Sequence, residues 1–515
     1  MKRRHFRSMW GVVSRWFAVP WYPFAISAYP VLALLASNAG QVGLDAAVRP
    51  LLVSILFAGL VFFILWLFLR QVHKAAFLSA LWLALFFSYG HIYIYLDEKY
   101  PDASYTTWLS AAWIVLFLLA LFWATRPRLS FVSAAATINT FALALLVMAG
   151  WRIVSEIPPR SAHALALTDA PIQSDLVRPA NPPDVYFFLL DSYGRADLLK
   201  QAYGFDNSGF LNELEQRGFF VASCSQSNYV RTELSLGSSL NMQYLQDLSD
   251  KFSRDSIKRA LLWDSLKHSA VRYNFESMGY ETITFETGFE WLNIKDADHF
   301  MSPPPISSGM TEFEALFLRT TLARHTEDWG WVDPDYLLGV VSRDRFNHAF
   351  NSIDDIARMP QPTFSYIHLI SPHPPFVFDA EGNPTYPPDF WNDQRLYPAK
   401  LYQKGYVNQV QFLNKKLLQA VDIILAESEV PPVIIIQGDH GPWLQPKEKR
   451  MWILAAMYLP GQREELYSTI SPVNFFRVVF NSYFGGQYEL LEDISYFSPV
   501  PKLYDFSKVP LTCGE

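Results

Sequence analysis

Five apolar stretches crowd the first 155 residues of this 515-residue chain, and they fix what that part can become. They run over 16–37, 50–69, 75–96, 108–124 and 131–153. A bilayer core takes about 20 apolar residues in a helix. Inside it, only helices and closed barrels satisfy every backbone N–H and C=O. Five helical spans are therefore expected. Pro20, Pro23 and Pro30 interrupt the first, which a membrane helix tolerates when neighbours satisfy the freed carbonyls. Ionisable side chains are nearly absent from the apolar cores, which speaks against transport through them.

The connecting segments set the expected orientation. Lys2, Arg3, Arg4, Arg7 and Arg15 precede the first span, Arg70 and Lys74 follow the second, and Arg126 and Arg128 follow the fourth. The opposite loops carry only Arg49 and Lys99, beside Asp45, Asp97, Glu98 and Asp102. Basic loops stay in the cytoplasm. The N-terminus is expected there and, after an odd number of spans, everything past residue 155 outside, in a periplasm or the extracellular space. No small-residue cleavage site follows the first apolar run, so a retained span rather than a cleaved signal peptide is expected.

Residues 1–152 hold 12 basic and 4 acidic groups, a surplus of 8 positive charges; the remainder holds 30 and 45, a surplus of 15 negative ones. An acidic soluble part argues against nucleic acid as partner. The expected organisation is a transmembrane domain over 1–155, a Pro-, Ala- and Ser-rich linker at the membrane surface over 156–184, and an extracytoplasmic domain over 185–515. The two cysteines, Cys224 and Cys513, lie far apart. Pairing and two free thiols are both open.

Past the linker, short apolar runs alternate with helical ones. Strands are expected at 185–190, 219–222, 281–285, 363–370, 433–436 and 453–459. Helices are expected at 207–217, from 232, and at 256–278, 401–426 and 473–484, with a less regular helical insertion over 286–360. This alternation gives an α/β domain with a largely parallel sheet between helix layers. Ligands bind such sheets beyond the carboxyl ends of the strands. Two strands end on acids. Val-Ile-Ile-Ile-Gln-Gly over 433–438 delivers Asp439, His440 and Gly441, and Val-Tyr-Phe-Phe-Leu-Leu over 185–190 delivers Asp191. A carboxylate beside an imidazole at the end of a buried strand costs desolvation energy. A bound cation would offset that cost.

Thr232 stands at a loop-to-helix switch. A hydroxyl there either caps the helix or, at the positive end of the dipole, stabilises a phosphate or alkoxide. A metal on that oxygen would make it a nucleophile near neutral pH. Ser235, three residues on, offers a second hydroxyl. His373 lies between prolines on a stiff loop over 371–375, which suits a site residue. His368 lies inside the 363–370 strand and fits a core position equally well. Arg231 either clamps an anionic oxygen or faces solvent.

The order Asp191, Thr232, a His-Pro loop, then Asp439-His440-Gly441 resembles the alkaline phosphatase superfamily in its sulfatase-like branch. With apolar spans ahead of an outward domain, the chain resembles the lipoteichoic acid synthases and lipid A phosphoethanolamine transferases, in the soluble part over about 183–485 and in the membrane part by topology alone. The resemblance implies an enzyme in which Asp191, Asp439, His440 and Thr232 bind one divalent cation, Zn or Mn ahead of Mg or Ca. It implies that Thr232 attacks and that His373 contacts the transferred group or the leaving oxygen; His368 and Arg231 are candidates for the substrate side from their own positions in the chain. A phosphoryl-linked headgroup (phosphoglycerol or phosphoethanolamine type) would pass from a membrane lipid donor to an envelope glycan or lipid acceptor through a phospho-threonine. Two departures shape this. No Cys/Ser-x-Pro/Ala-x-Arg frame surrounds Cys224, which argues against sulfate ester hydrolysis. Ser192 rather than a second Asp follows Asp191, which favours one metal over two. A hydrolase using water as acceptor, and a non-catalytic glycan-binding or assembly protein, are the alternative readings.

Overall fold

The computed structural model describes residues 19–39, 41–100, 105–126, 131–156, 175–254, 256, 259–304, 309–360, 362–385, 399–462 and 465–513. The chain divides into two compact units, Met1–Pro158 with Gly309–Leu338, and Pro159–Ser308 with Gly339–Glu515. Most of the expected linker, over 157–174, lies outside the described residues.

The first unit is helical: α1 Tyr22–Ser37, α2 Val48–Leu69, α3 Val72–Lys99, α4 Thr106–Ala124 and α5 Val132–Glu156. Among the described residues four helices, α2 to α5, are long and apolar enough to cross a membrane, not the five expected. The correction falls on the first. Its prolines set the start: Pro23 occupies the first turn, and α1 is left with 16 residues. Such a helix extends about 24 Å, short of a core of about 30 Å. Residues 16–18 of the expected span lie outside the described residues. Side chains such as Leu56 (72% exposed), Phe68 (81%) and Trp151 (74%) lie open on the helix surfaces. That much apolar exposure fits hydrocarbon rather than water. The protein is a membrane protein.

α3 is the central helix, with Ala75, Ala76, Ser79 and Ala80 buried where neighbouring backbones approach. Small residues allow such approach. The segment Gly309–Leu338, part of the expected insertion, groups with these helices. Gly90 on α3 lies so close to the backbone of Arg319 and Thr320 that a Cβ there would overlap them. His325 bridges Ser110 at 3.0 Å and Asp328 at 3.0 Å, and the Arg324 guanidinium stacks on Tyr93 at 3.3 Å.

The second unit is built on a seven-stranded sheet in the order β2-β7-β6-β1-β5-β3-β4. The strands are β1 Val185–Leu190, β2 Phe220–Val221, β3 Glu281–Phe285, β4 His299–Met301, β5 Thr363–Leu369, β6 Val433–Gly438 and β7 Ala455–Tyr458. β6, β1, β5, β3 and β4 run parallel; β7 and β2 are antiparallel to their neighbours. Every residue of β1 and of β6 is buried. Tyr186, Phe188 and Leu190 enter one core, and Val185, Phe187 and Leu189 the other, so each face of the strand feeds a separate layer. Helix α7, Ala399–Glu427, covers the first face; α8, Pro472–Phe484, covers the second. The single helix expected over 256–278 is two, Ala260–Lys267 and Ala270–Ser277, because the Ser269 side chain accepts the Arg272 N–H and starts a new one. β4 and a C-terminal ribbon, β8 Ser495–Phe497 with β9 Ser507–Val509, are additions to the expected elements. Cys224 and Cys513 form a disulfide with 5.1 Å between their Cα atoms, closing the pairing that the sequence leaves open.

Candidate metal centre and nucleophile

Strand register decides what meets at the edge of the sheet. Leu190 pairs with Leu369 of β5 and with Gly438 of β6, so three parallel strands end level. Asp191, the 370–373 loop and Asp439 leave the sheet together. Gly438 permits the tight packing, since a Cβ there would overlap the Tyr193 carbonyl oxygen. Helix α6, Thr232–Ser239, points its first turn at the same edge; Ser235 fixes it there by donating to the Asp439 carbonyl at 2.7 Å.

Asp191, Asp439 and His440 are all buried, with ligand atoms within 4.8 Å of one another. His440 Nε2 lies 3.9 Å from Asp191 Oδ1, 3.5 Å from Asp439 Oδ2 and 3.3 Å from Thr232 Oγ1. The cluster is organised from behind. Asp439 Oδ1 accepts the Ser192 N–H at 2.8 Å and the His440 N–H at 2.7 Å. His440 Nδ1 lies 2.8 Å from the Gly441 carbonyl, which assigns the proton to Nδ1 and leaves the Nε2 lone pair facing the acids. Ser192 sits at a positive φ of 67°, strained for a non-glycine residue. It is held by its bond to Asp439 and by Tyr406, whose hydroxyl donates to the Ser192 carbonyl at 2.8 Å.

Electrostatics ask for a cation. Asp439 Oδ2 is buried without a hydrogen-bond partner. Burial first, then the neighbouring Asp439 charge, push the Asp191 carboxyl up to about 8. Two carboxylate oxygens, one imidazole nitrogen and one hydroxyl form a mixed O/N set that fits Zn or Mn. Such an ion, when bound, would lower the pKa of the hydroxyl and offset negative charge developing on a substrate oxygen.

The linkage has a definite sign. In the unfolded chain Asp191 ionises near 3.8, and in the fold near 8. The cost of folding its anion is absent below about pH 3.8, grows up to about pH 8 and is complete above. A divalent cation relieves that cost by displacing the proton. Manganese affinity is therefore expected to weaken roughly 50-fold from pH 8 to pH 6. Titration calorimetry at the two pH values checks this, and an unchanged affinity would remove Asp191 from the site.

The other expected residues fall into place differently. Thr232 does not cap its helix; Arg231 occupies the cap position, and no side-chain cap bond forms. The Thr232 hydroxyl is half-buried and free to face His440. His373 is anchored by its N–H to the Asp191 carbonyl at 2.9 Å, and its Nδ1 is held by the Pro374 carbonyl. Burial lowers its proton affinity, opposed by that bond and by Asp439. His368 is a buried ring in β5 with neither nitrogen hydrogen-bonded. Burial drives its pKa down to about 4, with His373 and His440 acting in the same sense and Asp439 against. It is therefore neutral beneath the site. Arg231 is half-buried, and burial lowers its pKa.

Arg450 was not singled out from the sequence. It lies in the run Lys447-Glu448-Lys449-Arg450, a pattern that reads as a solvated turn. In the fold it is buried, stacked on Trp443 at 4.0 Å and in electrostatic contact with Arg231 and Asp439. Only the neighbouring Trp443 and Trp452 hinted at it.

An α/β domain with a mostly parallel sheet is the fold that the sulfatase-like resemblance implies. No family model and no curated protein matches the sequence. Solved structures do. The C-terminal periplasmic domain of EcEptC from Escherichia coli, in complex with Zn, is similar at 11% identity over 67% of this chain and 99% of that one, with a TM-score of 0.45. The integral membrane lipooligosaccharide phosphoethanolamine transferase A of Neisseria meningitidis is similar over 90% and 95%, at 14% identity and a TM-score of 0.38. A phosphonate monoester hydrolase of Agrobacterium radiobacter is similar over 61% and 80%, at 13% identity and a TM-score of 0.38. These neighbours are enzymes of the sulfatase-like branch of the alkaline phosphatase superfamily.

Proposed function

We propose that the chain is a membrane-anchored, metal-dependent phosphotransferase of the cell envelope. The observation that carries the reading is the convergence of Asp191, Asp439 and His440 on the Thr232 hydroxyl, 3.3 Å from His440. Asp191, Asp439, His440 and Thr232 would hold one divalent cation.

In the first step the Thr232 oxygen attacks the phosphorus of a membrane phospholipid. The bond from phosphorus to the diacylglycerol oxygen breaks, and that oxygen leaves as the alcohol, taking the equivalent of the Thr232 proton. In the second step an acceptor hydroxyl on an envelope glycan or lipid attacks the phospho-threonine. The Thr232–phosphorus bond breaks, and the acceptor's proton returns to the Thr232 oxygen. His373 and His368 are neutral near pH 7. His373 keeps Nε2 available to hydrogen-bond the leaving or entering oxygen.

The basic loops favour a cytoplasmic N-terminus, and a fifth crossing in the first apolar stretch would then put the catalytic unit outside. The Cys224–Cys513 disulfide supports that side, since such bonds persist in oxidising compartments. Product analysis with a headgroup-labelled phospholipid tests the reaction. Label is expected on an envelope acceptor, with a transient adduct on the Thr232 peptide in acid-quenched samples. Label released only as free headgroup phosphate would make water the acceptor. Absence of any adduct would end the covalent step.

A further inference from the structure

Arg450 borders the cluster, and the reaction above leaves it unused. Its side chain is nine-tenths buried, at 9% exposure, and its Nε is buried without a hydrogen-bond partner. Its backbone carbonyl accepts the Gly441 N–H at 2.7 Å, which pins it to the loop carrying Asp439 and His440. Its Nη2 donates to the Val230 carbonyl at 3.2 Å, just ahead of Arg231 and Thr232.

Burial and then the Arg231 charge lower the proton affinity of Arg450; burial and Arg259 lower that of Arg231, with Glu233 acting against them, and neither guanidinium forms an ion pair among the described residues. The acid nearest Arg231 in sequence, Glu233, is already held by Arg259 at 3.4 Å and by the Trp263 N–H at 3.1 Å. Asp439 faces the cation position. Two desolvated guanidiniums side by side are costly unless an anion joins them. Their planar forks match the paired oxygens of a phosphate.

We infer that Arg450, with Arg231, grips the non-bridging oxygens of the transferred phosphodiester, and that the pair selects a donor with an uncharged polyol headgroup over one bearing an ammonium. The inference rests on the phosphotransfer reading. An ammonium a few ångströms from the phosphorus would be pressed against two like charges, whereas hydroxyls would not.

The test uses the full chain in detergent, loaded with manganese. Short-chain phosphatidylglycerol and phosphatidylethanolamine are compared by diacylglycerol release. The wild type is expected to favour the glycerol donor by about 10-fold or more in kcat/KM. Arg450→Gln is expected to lower kcat/KM for that donor about 30-fold and to bring the ratio of the two donors toward one. Arg450→Lys should recover part of both. Arg231→Gln, at a half-buried cap, should shift the ratio the same way with less risk to the fold. A purely structural arginine would depress both donors equally. A wild type that takes the ethanolamine donor as well or better, or variants that leave the ratio unchanged, would overturn the inference and leave the phosphotransfer reading standing. No turnover of either donor by a folded, manganese-binding wild type would remove that reading and the inference with it.

Discussion

Thr232→Ala is expected to lower phospholipid turnover by at least about 1,000-fold, or about 4 kcal/mol in the barrier. On the proposed reading the hydroxyl serves attack, and nothing around it gives it a part in folding. It stands at the first position of α6, where unpaired N–H groups and the helix dipole favour negative charge. It makes no cap bond, so its loss should leave stability nearly unchanged. Ser235 is the competing hydroxyl, and geometry separates the two. Its oxygen is fully buried and donates to the Asp439 carbonyl at 2.7 Å. Ser235→Ala should therefore loosen the cluster and cost about 1 kcal/mol of stability, with a smaller fall in turnover. Thr232→Ser keeps the oxygen and should keep measurable activity. Diacylglycerol release with thermal melts on the three variants decides the matter. An active Thr232→Ala beside an inactive Ser235→Ala would transfer the nucleophile to Ser235.

The parts of this fold that were legible in the sequence are those governed by short-range pattern. β1 and β6 are unbroken apolar runs ending on acids, so both their burial and the position of Asp191 and Asp439 follow from the chain itself. The convergence of those acids depends on register, and the parallel α/β pattern implies it because ligands gather beyond such strand ends. Other features needed tertiary information. The break between Lys267 and Ala270 depends on one side-chain acceptor, Ser269, inside an otherwise helical run. The grouping of Gly309–Leu338 with the membrane helices rests on a glycine at position 90 and an arginine stacked on Tyr93, contacts that no local periodicity encodes. Among the described residues α1 is shorter than the expected span because prolines fix where a helix starts more firmly than hydrophobicity extends it. Arg450 was hidden by its company. A basic residue among Lys447, Glu448 and Lys449 looks solvated until the chain folds it over Trp443.

Asp439→Asn is expected to do two opposite things, and together they separate a metal site from a buried polar knot. Without metal, the variant should be more stable than the wild type by about 1–3 kcal/mol, because a buried anion whose Oδ2 has no hydrogen-bond partner is neutralised. The amide oxygen can keep both backbone N–H bonds that Asp439 Oδ1 accepts, from Ser192 and His440, so the loop has no reason to move. Asp191, whose carboxyl is raised partly by Asp439, should titrate at lower pH in the variant, which reduces the proton penalty on its ionisation. With metal the order inverts. The variant offers one anionic ligand where the wild type offers two, and manganese affinity should fall by more than about 100-fold. Saturating manganese should then raise the melting temperature of the wild type, by linkage between binding and folding, and leave that of the variant almost unmoved. If the cluster were a structural network with no ion, the apo variant would lose stability through its altered hydrogen bonds and metal would change neither melt. A wild type whose melt ignores zinc and manganese alike, while Asp439→Asn melts lower, would therefore dissolve the metal centre and with it the nucleophile that depends on it.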